Sequence, residues 1–237
     1  MPSEQSYRDR HGKGVSLKDA CNGFTPTFAP ADISLNVTNF TTFLGTVNTA
    51  NDLVDTLDSN YSTNATTRVA LLVTIKETLT QALGYLKSNK AWKSEFATAK
   101  MIVDKVRGTR APKPVTPPEG ETPDETKKRN QGNQAFMEVE GHLRKFIGVC
   151  TGTPGFSPPA VEIQLGPQNG LLSQLASLNG FLSDTEQKLT TARNKRRALY
   201  DEEDEGLASK FQAVKEAVKG QYGFGSEQYA TAKAIKW

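Results

Sequence analysis

The sequence is short of the residues that most enzyme and metal chemistry requires. Its 237 residues include only two histidines and two cysteines. Helical bundles that hold metal pairs use Glu-x-x-His motifs on facing helices. Here His11 lies in a polar stretch. His142 sits in MEVEGHLRK with Glu138 on the same helix face, and nothing repeats that pair elsewhere. The two read as a surface ion pair, and no metal site is expected. Cys150 follows His142 by two helical turns, about 12 Å of rise, out of reach for a nucleophile and its base. It reads as a small buried residue closing a helix. Two cysteines make no disulfide framework, and whether Cys21 and Cys150 pair is left open.

Other absences narrow the classes further. No apolar run approaches the roughly 18 residues of a membrane-spanning helix. The start, MPSEQSYRDRHGKG, has charge and no apolar stretch behind it, which predicts no secretory signal and a reducing, cytoplasmic setting. Export without a signal, or assembly at a surface, stays open. Lysine and arginine number 29 against 26 acids, a net charge of +3 that demands neither nucleic acid nor an anionic membrane. No strand-like alternation occurs beyond Val161–Leu165, too short to found a sheet. Near the C-terminus GQYGFG places glycines at 220, 223 and 225. That order reverses the dinucleotide-binding spacing, and it comes after a helix instead of a strand. Gly220 or Gly223 therefore reads as a helix end in a left-handed conformation. No catalytic constellation, cofactor or small-molecule ligand is expected. Asn36, Asn39, Asn60 and Asn64 each begin an Asn-x-Ser/Thr triplet. Without a signal they read as helix caps and turns, not glycan acceptors.

What is present is helical periodicity. Phe40, Phe43, Leu44, Val47, Ala50, Val54 and Leu57 share a face, as do Val69, Leu72, Ile75, Leu79, Leu83 and Leu86. Trp92, Phe96, Ala99, Val103 and Val106 extend the stripe past a weak point at Ser88-Asn89. SNYST at 59–63 interrupts the pattern, and Asn64 or Thr66 can cap the next helix. Residues 38–58 and 65–106 are thus predicted to form an antiparallel pair. GTRAPKPVTPPEGETPD at 108–124 carries five prolines and reads as an extended linker. A third helix over 133–149 carries Phe136, Val139, Leu143, Phe146 and Ile147, and ends in TGTPGFSPP. A second long stripe from Gln168 includes Leu171, Leu172, Leu175, Leu178, Phe181, Leu182 and Leu189.

ARNKRRALYDEEDEGL then places Arg193, Lys195, Arg196 and Arg197 ahead of five acids, Asp201 to Glu205. Cations favour a helix C-terminus and acids the next N-terminus, each by about 0.3–1 kcal/mol. The order predicts a turn near 200–204 and a last helix over 205–219, with Leu207, Phe211, Val214 and Val218 buried; one unbroken helix through this point stays open. The long pairs 38–107 and 168–222 are laid out alike, with Asn48 and Asn179 in comparable places, a hint of duplication.

The last 45 or so residues resemble the closing segment of uncharacterised helical proteins of Bacteroidetes-type bacteria. The residues that carry the likeness are Ala192, Arg193, Arg196, Leu199, Tyr200, Val214, Lys215, Val218, Lys219, Tyr222, Gly223, Ser226, Tyr229 and Trp237. The DEEDE run and Gly220 depart from that pattern. The resemblance implies a long-helix bundle and adds no reaction.

The expected fold is all-α: one antiparallel four-helix-type bundle of long helices. It divides into an extended N-terminal arm (1–30), a first helical hairpin (31–107), a Pro-rich linker (108–132), a short helix with a turn-rich connection (133–167), and a second hairpin with a C-terminal strap (168–237). Arm, linker and strap have few means of ordering themselves, so a second copy is the expected partner. Tyr222, Phe224, Tyr229, Ile235 and Trp237 are the candidate interface anchors. The function expected is a non-enzymatic structural protein that self-associates through its arms into a filament, tube or lattice. The alternative is a module contacting nucleic acid or an acidic partner through the Arg193–Arg197 patch and the basic arm (Arg8, Arg10, Lys13).

Overall fold

In the computed structural model of the chain, residues 4–107 and 131–237 are the described ones, with backbone only for 4, 5 and 131–136. The linker expected at 108–132 falls outside them except for its last two residues, and so does the Phe136 side chain. The described residues form seven α-helices and no strand. These are α1 (Glu4–Asn22), α2 (Val37–Ser88), α3 (Lys93–Arg107), α4 (Gln131–Gly152), α5 (Leu165–Asp201), α6 (Leu207–Tyr222) and α7 (Glu227–Ala234). The all-α class is as the periodicity predicts.

The expected break at 59–63 is absent: α2 is one helix of 52 residues. Its inward face runs Phe40, Leu44, Val47, Asn51, Val54, Asp58, Tyr61, Ala65, Arg68, Leu72, Ile75, Leu79, Ala82, Leu86, in alternating steps of four and three. This is an unbroken heptad pattern with polar residues in its middle. The hydroxyls that suggested a turn bond back into the helix: Thr66 Oγ1 donates to the Ser62 carbonyl at 2.9 Å, and Thr67 Oγ1 to Thr63 at 3.0 Å. The chain turns instead at the weak point, where the Asn89 carboxamide oxygen accepts from the Ala91 N–H at 3.0 Å and caps a 3-10 turn, Lys90–Trp92. The turn after α5 lies where the charge order puts it, between Asp201 and Leu207. Of the four asparagines, Asn36 caps α2, accepting from the Asn39 N–H at 2.8 Å; Asn60 and Asn64 lie inside the helix.

The N-terminal arm is a second correction. Residues 4–22 are helical, not extended. Only Tyr7, Gly14, Leu17 and Cys21 face inward, too sparse a stripe to read from sequence. Polar anchors do the rest. Arg8 binds Asn48, Asp52 and Asp55, and His11 Nε2 lies 3.2 Å from the Leu44 carbonyl oxygen. Gly14 lets α1 come close, since a Cβ there would stand 2.8 Å from Leu44 Cδ2 and 3.3 Å from Leu207 Cδ1.

Where one bundle was expected, there are two compact units: Met1–Asn60 with Thr185–Trp237, and Tyr61–Asp184. The first unit contains α1, the start of α2, the end of α5, α6 and α7. Its core gathers Leu17, Phe40, Leu44, Val47, Tyr200, Leu207, Phe211, Val214 and Val218. The second contains the end of α2, α3, α4 and the start of α5, around Ile75, Leu79, Leu86, Trp92, Val103, Leu143, Phe146 and Leu175. The reason one core becomes two is visible on α2: positions 58, 61 and 65 are only half-buried. Among the described residues no helix is long and apolar enough to cross a membrane.

The hint of duplication sharpens. α1–α2–α3 and α4–α5–α6 repeat one pattern, and the counterpart of Asn179 is the buried Asn51, not Asn48. At that same spacing Phe28 matches Phe156, Ile33 matches Val161, Leu35 matches Ile163, Val47 matches Leu175, and Arg68 matches Arg196. Cys21 matches Cys150 with one residue of slippage; further on, Phe96, Ala99 and Val103 match Phe211, Val214 and Val218. Each compact unit takes helices from both repeats. Burial pushes the thiol pKa of both Cys21 and Cys150 up to about 12, and neither is in a disulfide.

A cut within 108–130 should therefore give fragments that do not fold separately, because each core needs residues from both. Each large apolar side chain in those cores is worth about 1.5–3 kcal/mol when buried. Circular dichroism should show helicity recovered on mixing the fragments, with alkylation of Cys21 and Cys150 suppressed again. A fragment that is fully helical and thiol-protected alone contradicts the shared cores.

Candidate interaction surfaces

The C-terminal segment is built from local signals. Gly223, at φ 92°, ends α6, and the Ser226 hydroxyl caps α7 by accepting from the Tyr229 N–H at 3.1 Å. Four of the five candidate anchors then pack on the first unit's own core: Tyr222, Tyr229, Ile235 and Trp237. Tyr222 donates its hydroxyl to the Pro26 carbonyl at 2.6 Å and meets Phe24 edge-on at 5.5 Å. Ile235 offers its carbonyl to the Lys215 ammonium. Trp237 lies 4.9 Å from Phe211, between ring centroids, and under the Arg10 guanidinium at 4.7 Å. Phe224 alone stays out, 70% exposed. The premise that the tail cannot order itself is corrected, because α1 supplies the surface it packs on.

The basic patch is divided by helical geometry. Arg193 reaches Asp58 at 2.9 and 3.1 Å. Arg196 is buried with its guanidinium over the Tyr7 ring at 4.2 Å. Lys195 and Arg197 point to solvent. In the arm, Arg8 is held by Asp52 and Asp55, Arg10 by Asp201 at 2.8 Å, and Lys13 by Asp9 at 2.7 Å. The two acids beside Arg8 raise its already high pKa further.

Two buried polar groupings were missed by sequence reasoning. In the first unit Tyr200 donates its hydroxyl to the Tyr7 carbonyl at 2.7 Å and accepts from Asn51 Nδ2 at 2.9 Å. Burial raises the Tyr200 pKa, opposed by Asn51 and by Arg10 and Arg196. In the second unit Arg68 Nε donates to Asn179 Oδ1 at 2.6 Å, and Asn179 Nδ2 to Glu140 at 3.2 Å. Burial lowers the Arg68 pKa. The available signal was the heptad position of Asn51, Arg68, Asn179 and Arg196, readable once α2 is taken as unbroken.

His142 forms no ion pair with Glu138. Burial first, then Lys105 and Lys145, lower its pKa against a smaller opposing effect of Glu138. Among the described residues no group of three or more His, Cys, Asp or Glu is placed to hold a metal ion.

Hollows open on the surface of the described residues. One, of about 370 Å³, lies at the α2–α3 corner and is lined by Leu86, Lys87, Asn89, Lys90, Lys93 and Phe96. Another, about 270 Å³, lies beside α7 between Phe24, Thr25, Gln228 and Thr231. No family model matches this sequence, and comparisons with curated proteins and with solved structures give no significant match.

Tyr200→Phe should leave the Tyr7 carbonyl and the Asn51 amide without their buried partner. The expected loss is about 1–3 kcal/mol of unfolding free energy, read by denaturant titration. A neutral result would mean that water or a shift of Asn51 satisfies both groups.

Proposed function

We propose that this chain is a non-enzymatic structural protein that self-associates into a filament, tube or lattice. The observation that carries the reading is a pair of exposed side chains. Ile33 is 71% exposed and Val161 60% exposed. They occupy corresponding places in the two repeats, each opening a 3-10 turn just ahead of a long helix. One exposed aliphatic residue needs no explanation. The same feature twice, beside Leu35 and Ile163 that are buried at matching places two residues on, supports a contact made outside the chain. Both turns are fixed locally. Asp32 caps the first, accepting from the Ser34 N–H at 2.9 Å, and Asn39 Nδ2 donates to the Ile33 carbonyl at 2.8 Å. Phe224 adds a third exposed apolar anchor beside α7.

The mode of association differs from one made by loose arms. With most of α1 and the tail engaged in the first unit, contacts would come from fixed surface features, which lose less entropy on binding. The likeness of residues 192–237 to Bacteroidetes-type bundle proteins belongs to this same proposal and supplies layout alone. Binding of nucleic acid is the weaker reading. Phosphate tracking draws on several free cations, and Arg8, Arg10, Lys13 and Arg193 already have carboxylate partners.

Sedimentation velocity over a wide concentration range tests the proposal. Species that grow with concentration are expected, and Ile33→Asp with Val161→Asp should shift them toward the monomer while leaving helicity unchanged. A wild-type chain that stays monomeric at high concentration ends this reading.

A further inference from the structure

The corners that close the two repeats correspond in position and are opposite in charge. After α2 the chain carries Lys87, Lys90 and Lys93 around the α2–α3 hollow. After α5 it carries the acids Asp201 to Glu205 ahead of α6. The helices that follow the corners share a stripe, with Phe96, Ala99 and Val103 standing for Phe211, Val214 and Val218. The helices that precede them differ in length, α2 having 52 residues and α5 37. Two of the acids are engaged within the chain: Asp201 with Arg10 at 2.8 Å, and Glu205 with Lys210 at 2.7 Å. Glu202, Glu203 and Asp204 are exposed, and none of them makes an ion pair among the described residues. The same holds for Lys87, Lys90 and Lys93.

We infer that the lysine-lined hollow of one copy receives the Glu202–Asp204 turn of a second copy, joining chains head to tail. The inference rests on the self-association reading and specifies its contact. Three uncommitted ammonium groups would meet three uncommitted carboxylates. Leu86 and Phe96 give the hollow an apolar floor that the stems of the glutamates can cover. Asn89 is already engaged as a cap, so the hollow keeps its shape when empty.

The acidic turn is likewise preformed. The Glu202 N–H donates to the Ala198 carbonyl at 3.0 Å and the Gly206 N–H to the Glu202 carbonyl at 2.9 Å. Asp204 sits at φ 68°, a left-handed conformation that aspartate tolerates better than most residues. Gly206 admits no side chain, since a Cβ would lie 2.7 Å from both the Glu202 nitrogen and its oxygen. Two rigid, complementary features need little ordering when they meet.

A contact of this kind uses different surfaces on the two partners. A docked pair then keeps one free turn, on one copy, and one free hollow, on the other, so the contact propagates into a ring or an open filament. Because the charges are exposed, the contact should weaken as salt shortens the Debye length from about 10 Å at 0.1 M to about 3 Å at 1 M.

The test uses two full-length variants, both altered only at exposed positions. One carries Lys87→Glu, Lys90→Glu and Lys93→Glu; the other carries Glu202→Lys and Glu203→Lys, with Asp204 kept for its backbone. Circular dichroism establishes that each remains folded, and sedimentation velocity reads association. Each variant alone should associate at least about tenfold more weakly than wild type, a 1.4 kcal/mol difference. Mixing the two should restore association with both variants in the complex, because the intact turn of one fits the intact hollow of the other. Raising salt should dissolve that complex. Variants that associate like wild type, or folded variants whose mixture does not recover, overturn this contact while leaving the assembly reading in place. A wild type that is monomeric under all conditions removes both.

Discussion

The long helices depend on polar side chains that sit at core positions and find partners there. Asn51, Asp58 and Arg68 occupy inward places on α2 where an apolar stripe would have leucines. Each is met from α5: Asn51 by Tyr200, Asp58 by Arg193, and Arg68 by Asn179. An unpaired arginine buried as deeply as Arg68 would cost several kcal/mol, enough to cancel the burial of two or three leucines. Paired, it permits α2 to continue through a stretch that carries little apolar surface. These pairs also select register. A slide of one helical turn along either helix would break the bond from Arg68 to Asn179. Apolar side chains tolerate such slides much better, so the polar pairs fix which residues face each other.

This explains what the sequence allowed one to read and what it hid. The α6 stripe, Leu207, Phe211, Val214 and Val218, was legible because apolar residues recur at helical spacing with no polar interruption. The bend before it was legible because cations and acids are ordered as helix ends prefer. The continuity of α2 was not legible. Polar residues at 58–68 resemble a loop until their partners, more than a hundred positions away, are known. α1 was hidden for a related reason. Its inward face holds one tyrosine, one glycine, one leucine and one cysteine, and its attachment comes from arginines whose acceptors lie on α2 and α5. Sequence patterns report a residue's own preference, whereas these elements are decided by long-range pairing.

The candidate surfaces follow the same division. Tyr222, Tyr229, Ile235 and Trp237 were expected to anchor a contact with a second copy, and in the chain they pack on the first unit's core. What could not be read was that α1 and α6 supply it. Trp237 shows the mechanism: its ring lies tilted against Phe211 and under the Arg10 guanidinium, and Arg10 is in turn held by Asp201. The cation that might have marked a binding face is a structural clamp on the C-terminus. Arg196 behaves likewise over Tyr7. In both cases a guanidinium lies over an aromatic ring with most of its side chain shielded from water, a placement suited to arginine's flat, weakly hydrated cation.

Repetition gives a way to separate architecture from use. Residues that hold a repeated unit together recur in both copies with their burial unchanged, as Asn51 and Asn179 do, or Val103 and Val218. A feature that recurs without being buried, such as Ile33 and Val161, cannot be explained by the core it does not enter. A feature that reverses between the copies is more informative still. The corners after α2 and α5 each lead into a helix with apolar residues at the same spacing, and one carries lysines where the other carries acids. Asp201 and Glu205 hold Arg10 and Lys210 within the chain, whereas Glu202, Glu203 and Asp204, like Lys87, Lys90 and Lys93, form no ion pair among the described residues. The charges left unpaired at the two corners are opposite in sign, and that asymmetry is what the proposed contact between copies uses.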